Sequence, residues 1–240
     1  METNFRAILK PPNSAHWFGT DELGRDVLSR VVYGARISLE LVLAAVVLAL
    51  LAGGSLGIWA GFRGGSVEMV TMRAIDVLLA LPGFLIALVA ITILGVGTVN
   101  LIIAVAIYSV PAFARVGHAA ALALRPAEFV QAAISQGATE ARILTRHVLP
   151  NVLSPLIVQA SLRMATALLL ASSLSFLGLG VQPPVPEWGA MLANGRSYLS
   201  TSPHVVLFPG LAIMLVTLGF NLLGDGLRDI FDPRLRSSQP

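Results

Sequence analysis

From Val77 to Ala114 the chain runs for 38 residues without an aspartate, glutamate, lysine or arginine. A bilayer core about 30 Å thick needs roughly 20 apolar helical residues. This window is therefore long enough for two spans, with Gly95-Val-Gly97-Thr98-Val99-Asn100 as the turn between them. Three further windows pass the same test: Ile37 to Phe62, whose one charge is Glu40; Val152 to about Gly180, interrupted by Arg163; and about Val205 to Gly224. The expected fold is all-α and polytopic, with about five transmembrane helices. Composition agrees, since charged residues are 12% of the 240 where a soluble domain carries about 25%.

A formal charge of +3 is too small to suggest a nucleic-acid binder, and the basic residues form no single dense patch. The absence of cysteine excludes disulfides, thiolate metal sites and a cysteine nucleophile. The first 36 residues lack the basic-then-apolar layout of a cleavable signal peptide, so membrane targeting rests on the internal spans. Prolines inside the windows (Pro82, Pro111, Pro209) are tolerated in membrane helices because neighbouring helices resatisfy the backbone. Small residues at Gly53-Gly54-Ser55, Gly57 and Gly61, and at Ala171-Ser172-Ser173 and Ser175, suit close helix packing.

Basic residues in alternate loops set orientation. With the N-terminus outside, Arg63, Arg73, Arg115, Arg125, Arg142, Arg146, Arg228, Arg234 and Arg236 fall inside. Outside are Arg6, Lys10, Arg25, Arg30, Arg36 and Arg196, mostly in the N-terminal segment. The balance favours a cytoplasmic C-terminus, with residues 1–36 as an extracytoplasmic segment and 37–240 as the membrane domain. Trp59 and Phe62 at one end of the first span, and Trp188 and Tyr198 in the loop after Gly180, fit interfacial positions.

The stretch at about 115–151 is the longest polar excursion after the N-terminus. The spacing predicts a helix over Glu128–Gln136 with Phe129, Ala132, Ala133 and Gln136 on one face, a stop at Gly137, and a second helix from Glu140 capped by Thr139. Its small Ala132–Ala133 face suits a groove on another protein, with Gln131, Glu140 and Arg142 at the rim. The alternative is a hairpin packed on its own chain.

Gln131-Ala132-Ala133, then Gly137, then Leu149-Pro150 resembles the Glu-Ala-Ala loop of permease subunits of bacterial ATP-binding-cassette importers. Arg146-His147-Val148-Leu149-Pro150-Asn151 narrows the resemblance to the C-type permease of the peptide and nickel subfamily. Three more blocks agree: Gly19 to Arg30 through Leu39, Leu174 to Pro184, and Asn221 to Asp229. The resemblance implies a subunit that forms half of a translocation pathway for peptides or similar solutes in a prokaryotic plasma (inner) membrane. It implies a second permease as heterodimeric partner, two cytoplasmic ATPase subunits, an extracytoplasmic solute-binding protein and the surrounding lipid. ATPase coupling would then fall to Gln131, Ala132, Ala133, Gly137, Glu140, Arg142 and His147. The outer signature would be Gly19, Thr20, Asp21, Gly24, Arg25 and Asp26, contacting the second permease or the binding protein.

Departures from the pattern are Gln131 for glutamate, Ala171 at an often acidic site, and Arg163 where relatives are small or apolar. Such permeases also have a transmembrane helix before the Gly-Thr-Asp block. Its absence here reads as truncation, a misplaced start or a five-span variant. Arg163 is the charge deep in a span, and burying charge in lipid is costly. It either touches a substrate carboxylate or bridges to another subunit or to backbone carbonyls.

No catalytic, cofactor or metal residues are expected. Gly19 to Asp26 has phosphate-loop glycine spacing, but Arg25 and Asp26 replace the lysine and Ser/Thr, and Asp21 and Glu22 repel phosphate. Gly178-Leu-Gly180 lacks the third glycine of a dinucleotide site. His16, His118, His147 and His204 lack ligand spacing. Two rival readings remain at this level. An ion-coupled transporter would carry carboxylates within its spans, and Val77–Ala114 has none; a membrane scaffold subunit is the other.

Overall fold

Helix α1 (Val27–Ala49) starts where its cap places it. The Asp26 carboxylate accepts the backbone N–H of Ser29 at 2.8 Å, satisfying a donor of the first turn. The helix continues through a π-helical turn at Leu50–Gly54 into α2 (Ser55–Arg63). The span expected at Ile37–Phe62 is thus part of a longer run, Val27–Arg63. Residues 27–36, assigned from charge to the N-terminal segment, are already helical. Arg30 and Arg36 bound an apolar window, but a charge does not stop a helix.

The computed structural model describes residues 3–231. Arg234 and Arg236, used above for orientation, lie outside the described residues. Helices α3 (Gly65–Ala80) and α4 (Gly83–Leu94) meet at 95°. Pro82 therefore stands between two helices and not inside one. Leu81 before it is extended (φ −91°, ψ 144°), as a residue preceding proline prefers. Gly95 and Gly97 turn the chain with positive φ, and the Asn100 amide donates to the carbonyls of Leu94 (2.8 Å) and Gly95 (3.1 Å).

Helix α5 (Thr98–Leu124) contains Pro111. Two short helices, α6 (Glu128–Ser135) and α7 (Glu140–Ile143), follow. A π-helical turn at Leu144–Val148 leads into α8 (Leu149–Phe176), which contains Pro155. Then come α9 (Trp188–Gly195) and α10 (His204–Phe231), the latter containing Pro209. Among the described residues four helices are long and apolar enough to cross a membrane, or five with the bent α3–α4 pair taken as one span. Extended structure there amounts to an isolated bridge between Thr20 and Asp26.

The chain divides into two compact units. The first comprises the chain up to Ala45, Leu88–Val105 and Ala165–Gly219. Its core includes Val42, Ile91, Leu101, Leu168, Leu174 and Trp188. The second comprises Val46–Ala87, Ala106–Met164 and the chain from Phe220 on, with Phe113, Val130, Val148, Val152 and Leu156 buried. In this second unit Gly53, Gly57 and Gly61 face the α5 backbone: a Cβ on them would meet Val110, Ala114 and His118 respectively. Two rows of i, i+4 spacing thus meet backbone to backbone, the packing that small residues permit between membrane helices.

Candidate coupling loop and N-terminal block

The loop of the second unit is held by local caps at both ends of its break. Gly137 has φ +77°; its N–H donates to Ile134 O (2.9 Å) and that of Ala138 to Ala133 O (3.1 Å). These two bonds form a Schellman motif, which requires a left-handed residue where glycine stands. Thr139 then caps α7 by accepting the Arg142 N–H at 3.4 Å. The expected stop and restart are both present.

Burial splits the face read from the spacing. Val130 and Ala133 turn inward with Ile143 and Val148, all less than a tenth exposed. Ala132, Gln136 and Phe129 remain exposed, as does Ile134. The larger Val130 determines which arc of so short a helix is buried, and Ala133 follows it at i+3. Gln131 donates from its amide to the Arg125 carbonyl at 2.8 Å, tying α6 to the end of α5. Glu140 and Arg142 are exposed, and the half-buried His147 lies 6.4 Å from Phe129, ring to ring. The loop thus has a packed underside and a free face that is partly apolar.

Elsewhere in this unit the Arg163 guanidinium lies over the Tyr108 ring at 5.5 Å, within cation–π range. Sequence reasoning missed a charged group between α3 and α5: Arg115 pairs with Asp76 (2.6 Å) and His118 with Glu68 (2.7 Å). These four residues, with Arg73 and Met72, border a cleft of about 840 Å³. The signal was available for one pair, since Asp76 and Arg115 immediately flank the uncharged window Val77–Ala114.

The N-terminal block, in the first unit, is a buried polar knot. Asp21 accepts the N–H groups of Leu23 and Arg25 (both 2.9 Å) through one oxygen. Its other oxygen is 2.7 Å from Arg25 Nε and 3.3 Å from Arg30 Nε. Thr20 accepts the Lys10 N–H at 2.8 Å and donates to the Ala7 carbonyl. The Thr20 carbonyl meets His204 Nε2 at 3.1 Å, and Phe18 stacks on Phe208 at 3.8 Å. Gly19 and Gly24 adopt positive φ. A side chain at Gly24 would strike the Asn4 backbone. The signature residues are therefore engaged within their own chain, and Thr20, Asp21 and Arg25 are buried. For Asp26, burial works to raise the carboxyl pKa, but the Ser29 backbone and hydroxyl and the His16 ring hold it below its ordinary value.

Glu187, also missed, is 1% exposed and caps α9, accepting the N–H groups of Gly189 (2.9 Å) and Ala190 (2.8 Å). The Ser38 hydroxyl donates to it at 3.4 Å. Burial pushes its carboxyl above the ordinary value despite these donors. Glutamate is not among the usual N-cap residues, so no strong cap signal stands in the sequence here.

Residues 53–237 match the family described as binding-protein-dependent transport system inner membrane component. The chain is 49% identical over 236 residues to the dipeptide transport system permease protein DppC of Alkalihalophilus pseudofirmus, covering 98% of this chain and 78% of that protein. It is also 49% identical over 226 residues to the glutathione transport system permease protein GsiD of Pectobacterium atrosepticum, covering 94% and 75% respectively. In fold it is similar to a chain of the MetNI methionine ABC transporter in inward-facing conformation. That likeness has a TM-score of 0.68 at 17% identity, covering 85% of this chain and 98% of that one.

Proposed function

This chain belongs to the binding-protein-dependent transport inner membrane component family, and on that premise we propose that it forms half of a heterodimeric pathway for peptides or similar small solutes. Members are permease subunits of ATP-binding-cassette importers, which work with another permease, ATPase subunits and a binding protein. The chain is accordingly a multi-pass transport subunit of the membrane, and ATP hydrolysis belongs to a separate subunit. The solute class rests on the dipeptide and glutathione transport named for its relatives. Two cytoplasmic ATPases, an extracytoplasmic binding protein and a cytoplasmic C-terminus complete the reading, with orientation supported by the arginine distribution.

The observation that carries the coupling role is the free face of α6 on a loop locked by two caps. Phe129 and Ala132, adjacent at i, i+3, offer apolar surface for a groove on an ATPase, with Gln136, Glu140 and Arg142 also exposed on the loop. Val130, Ala133, Ile143 and Val148 seat the loop on its own unit, so a pull on the free face moves the packed helices with it. Such movement of packed bodies is how a nucleotide-driven closure would switch access. Arg163, held over Tyr108, is the pathway candidate.

The test is uptake of a radiolabelled dipeptide by proteoliposomes holding the complete importer. Ala132→Trp and Gly137→Val are expected to abolish ATP-dependent uptake and ATPase association while the chain remains inserted. Unchanged uptake in both variants would remove the loop from coupling. Wild-type uptake with the ATPases absent would sink the importer mechanism.

A further inference from the structure

In the first unit a cleft of about 350 Å³ is bordered by Glu22, Arg25, Arg30, Asn194, Ser197 and Tyr198. We propose that it binds a single carboxylate group through the guanidinium of Arg30. That side chain is only 5% exposed, and its ion-pair contact among the described residues is the 3.3 Å approach of Nε to Asp21. The same Asp21 oxygen lies closer, at 2.7 Å, to Arg25 Nε, and Glu22 pairs with Arg25 at 3.1 Å. Asp21's remaining oxygen holds two backbone N–H groups.

Both acids of the block are therefore engaged first with Arg25. Arg30 shares half of one carboxylate at the longer distance. A guanidinium that shares its one carboxylate oxygen with Arg25 and borders an open cleft has charge left to offer a further anion there. Its planar fork fits a carboxylate bidentately. Asn194, Ser197 and Tyr198 supply neutral donors at the rim. Glu22, whose side chain is 19% exposed, restricts the site to one negative charge, so a phosphate dianion is repelled. The volume is near the lower end of ligand pockets, about 300–1,000 Å³, and suits one or two amino-acid-sized groups.

Two sources carry this chemistry: the C-terminal carboxylate of a transported peptide, or an acidic side chain of the solute-binding partner. The site's role in transport rests on the permease reading above, whereas carboxylate binding does not. The test uses the full chain in nanodiscs, titrated calorimetrically with N-acetyl-Ala-Ala, its C-terminal amide and inorganic phosphate. The variants are Arg30→Gln and, to fill the cleft from its rim with the Asp21 network intact, Ser197→Phe and Asn194→Leu.

For a solute source, the acid binds at least tenfold more tightly than the amide or phosphate, and the difference disappears in all three variants. For a partner source, the acid does not bind. The variants instead weaken association of the solute-binding protein at least tenfold, as does amidation of that protein's carboxyls. If neither probe separates the rim variants from wild type, the proposal is overturned. ATP-driven uptake by the complete importer is measured alongside. Intact uptake with neither carboxylate binding nor any effect of the rim variants on binding-protein association rejects this site alone, and carboxylate binding without any ATP-driven uptake rejects the permease reading alone.

Discussion

The indole N–H of Trp188 donates to the backbone carbonyl of Val31 at 2.9 Å, joining α9 to α1 across 157 residues of sequence. Trp188 is 2% exposed, and Gly34 makes room for its ring: a Cβ there would lie 3.1 Å from the indole. Removing the donor while keeping a ring, Trp188→Phe, should cost about 1–2 kcal/mol. Trp188→Ala should cost roughly 3–5 kcal/mol through the cavity it leaves. Reversible denaturation in mixed micelles measures both.

Glu187 and Asp26 should give stability opposite dependences on pH. Burial raises the Glu187 carboxyl above 4.5, its ordinary value, so the folded state holds that proton more tightly than the unfolded chain does. Its contribution is fully present below 4.5 and is lost as pH rises through the folded value. Asp26 is lowered from 3.8, so its contribution is present above that value and lost as pH falls through the lowered one. Glu187→Gln should flatten the stability profile just above pH 4.5, and Asp26→Asn should flatten it below pH 3.8. An unaltered profile in either variant contradicts the assignment of that group.

Gly137 tests backbone geometry separately from side-chain crowding, because a Cβ there would meet nothing within 4 Å. Its φ of +77° alone sets the penalty. Alanine should cost about 1–2 kcal/mol, asparagine less because it tolerates the left-handed region, and valine most. Uptake by the complete importer should fall in the order Gly, Asn, Ala, Val.

Gly57 and Gly219 are both helical, yet they should respond oppositely to alanine. A Cβ on Gly57 would run into the Ala114 backbone, which cannot move as a side-chain tip can. Gly57→Ala should destabilise by roughly 1–3 kcal/mol. Gly219 has open space around it, so Gly219→Ala should be neutral or stabilise by about 0.5–1 kcal/mol. Unfolding of the two variants in the same micelles compares them directly.

The Arg163–Tyr108 contact should persist in Tyr108→Phe, which retains the ring face, and be lost in Tyr108→Leu. Both residues are half-buried, so the cation–π contact contributes on the order of 1–2 kcal/mol, and stability should change modestly. Dipeptide uptake should survive the first change, drop in the second, and be lost in Arg163→Ala. Full uptake by Arg163→Ala would remove the residue from the pathway.

Much of the candidate site was legible because its determinants are local. Gly137 and Thr139 mark the loop's break by backbone preference and a side chain that reaches its own turn. The Asp26 and Glu187 caps are equally local but were not read: the start of α1 was obscured by Arg30 and Arg36, which interrupt hydropathy without interrupting a helix. Pro82 was harder to place. A proline within an apolar window is compatible with a kinked span or with a full break, and only the neighbours of α3 and α4 determine which forms.

What the sequence determined by itself was the solvent and the element type: long uncharged windows require helices in a bilayer, and caps and glycines place most of their ends. The tertiary structure alone decided which side of each element is occupied. Nothing local says that Ala133 turns inward while Ala132 stays free, or that Gly57 is pressed against Ala114. Nor does it say that Asp21 engages Arg25 more closely than Arg30. Each of these depends on which distant segment arrives opposite, and in a chain this rich in interchangeable apolar residues the pattern of burial is set by shape and not by polarity.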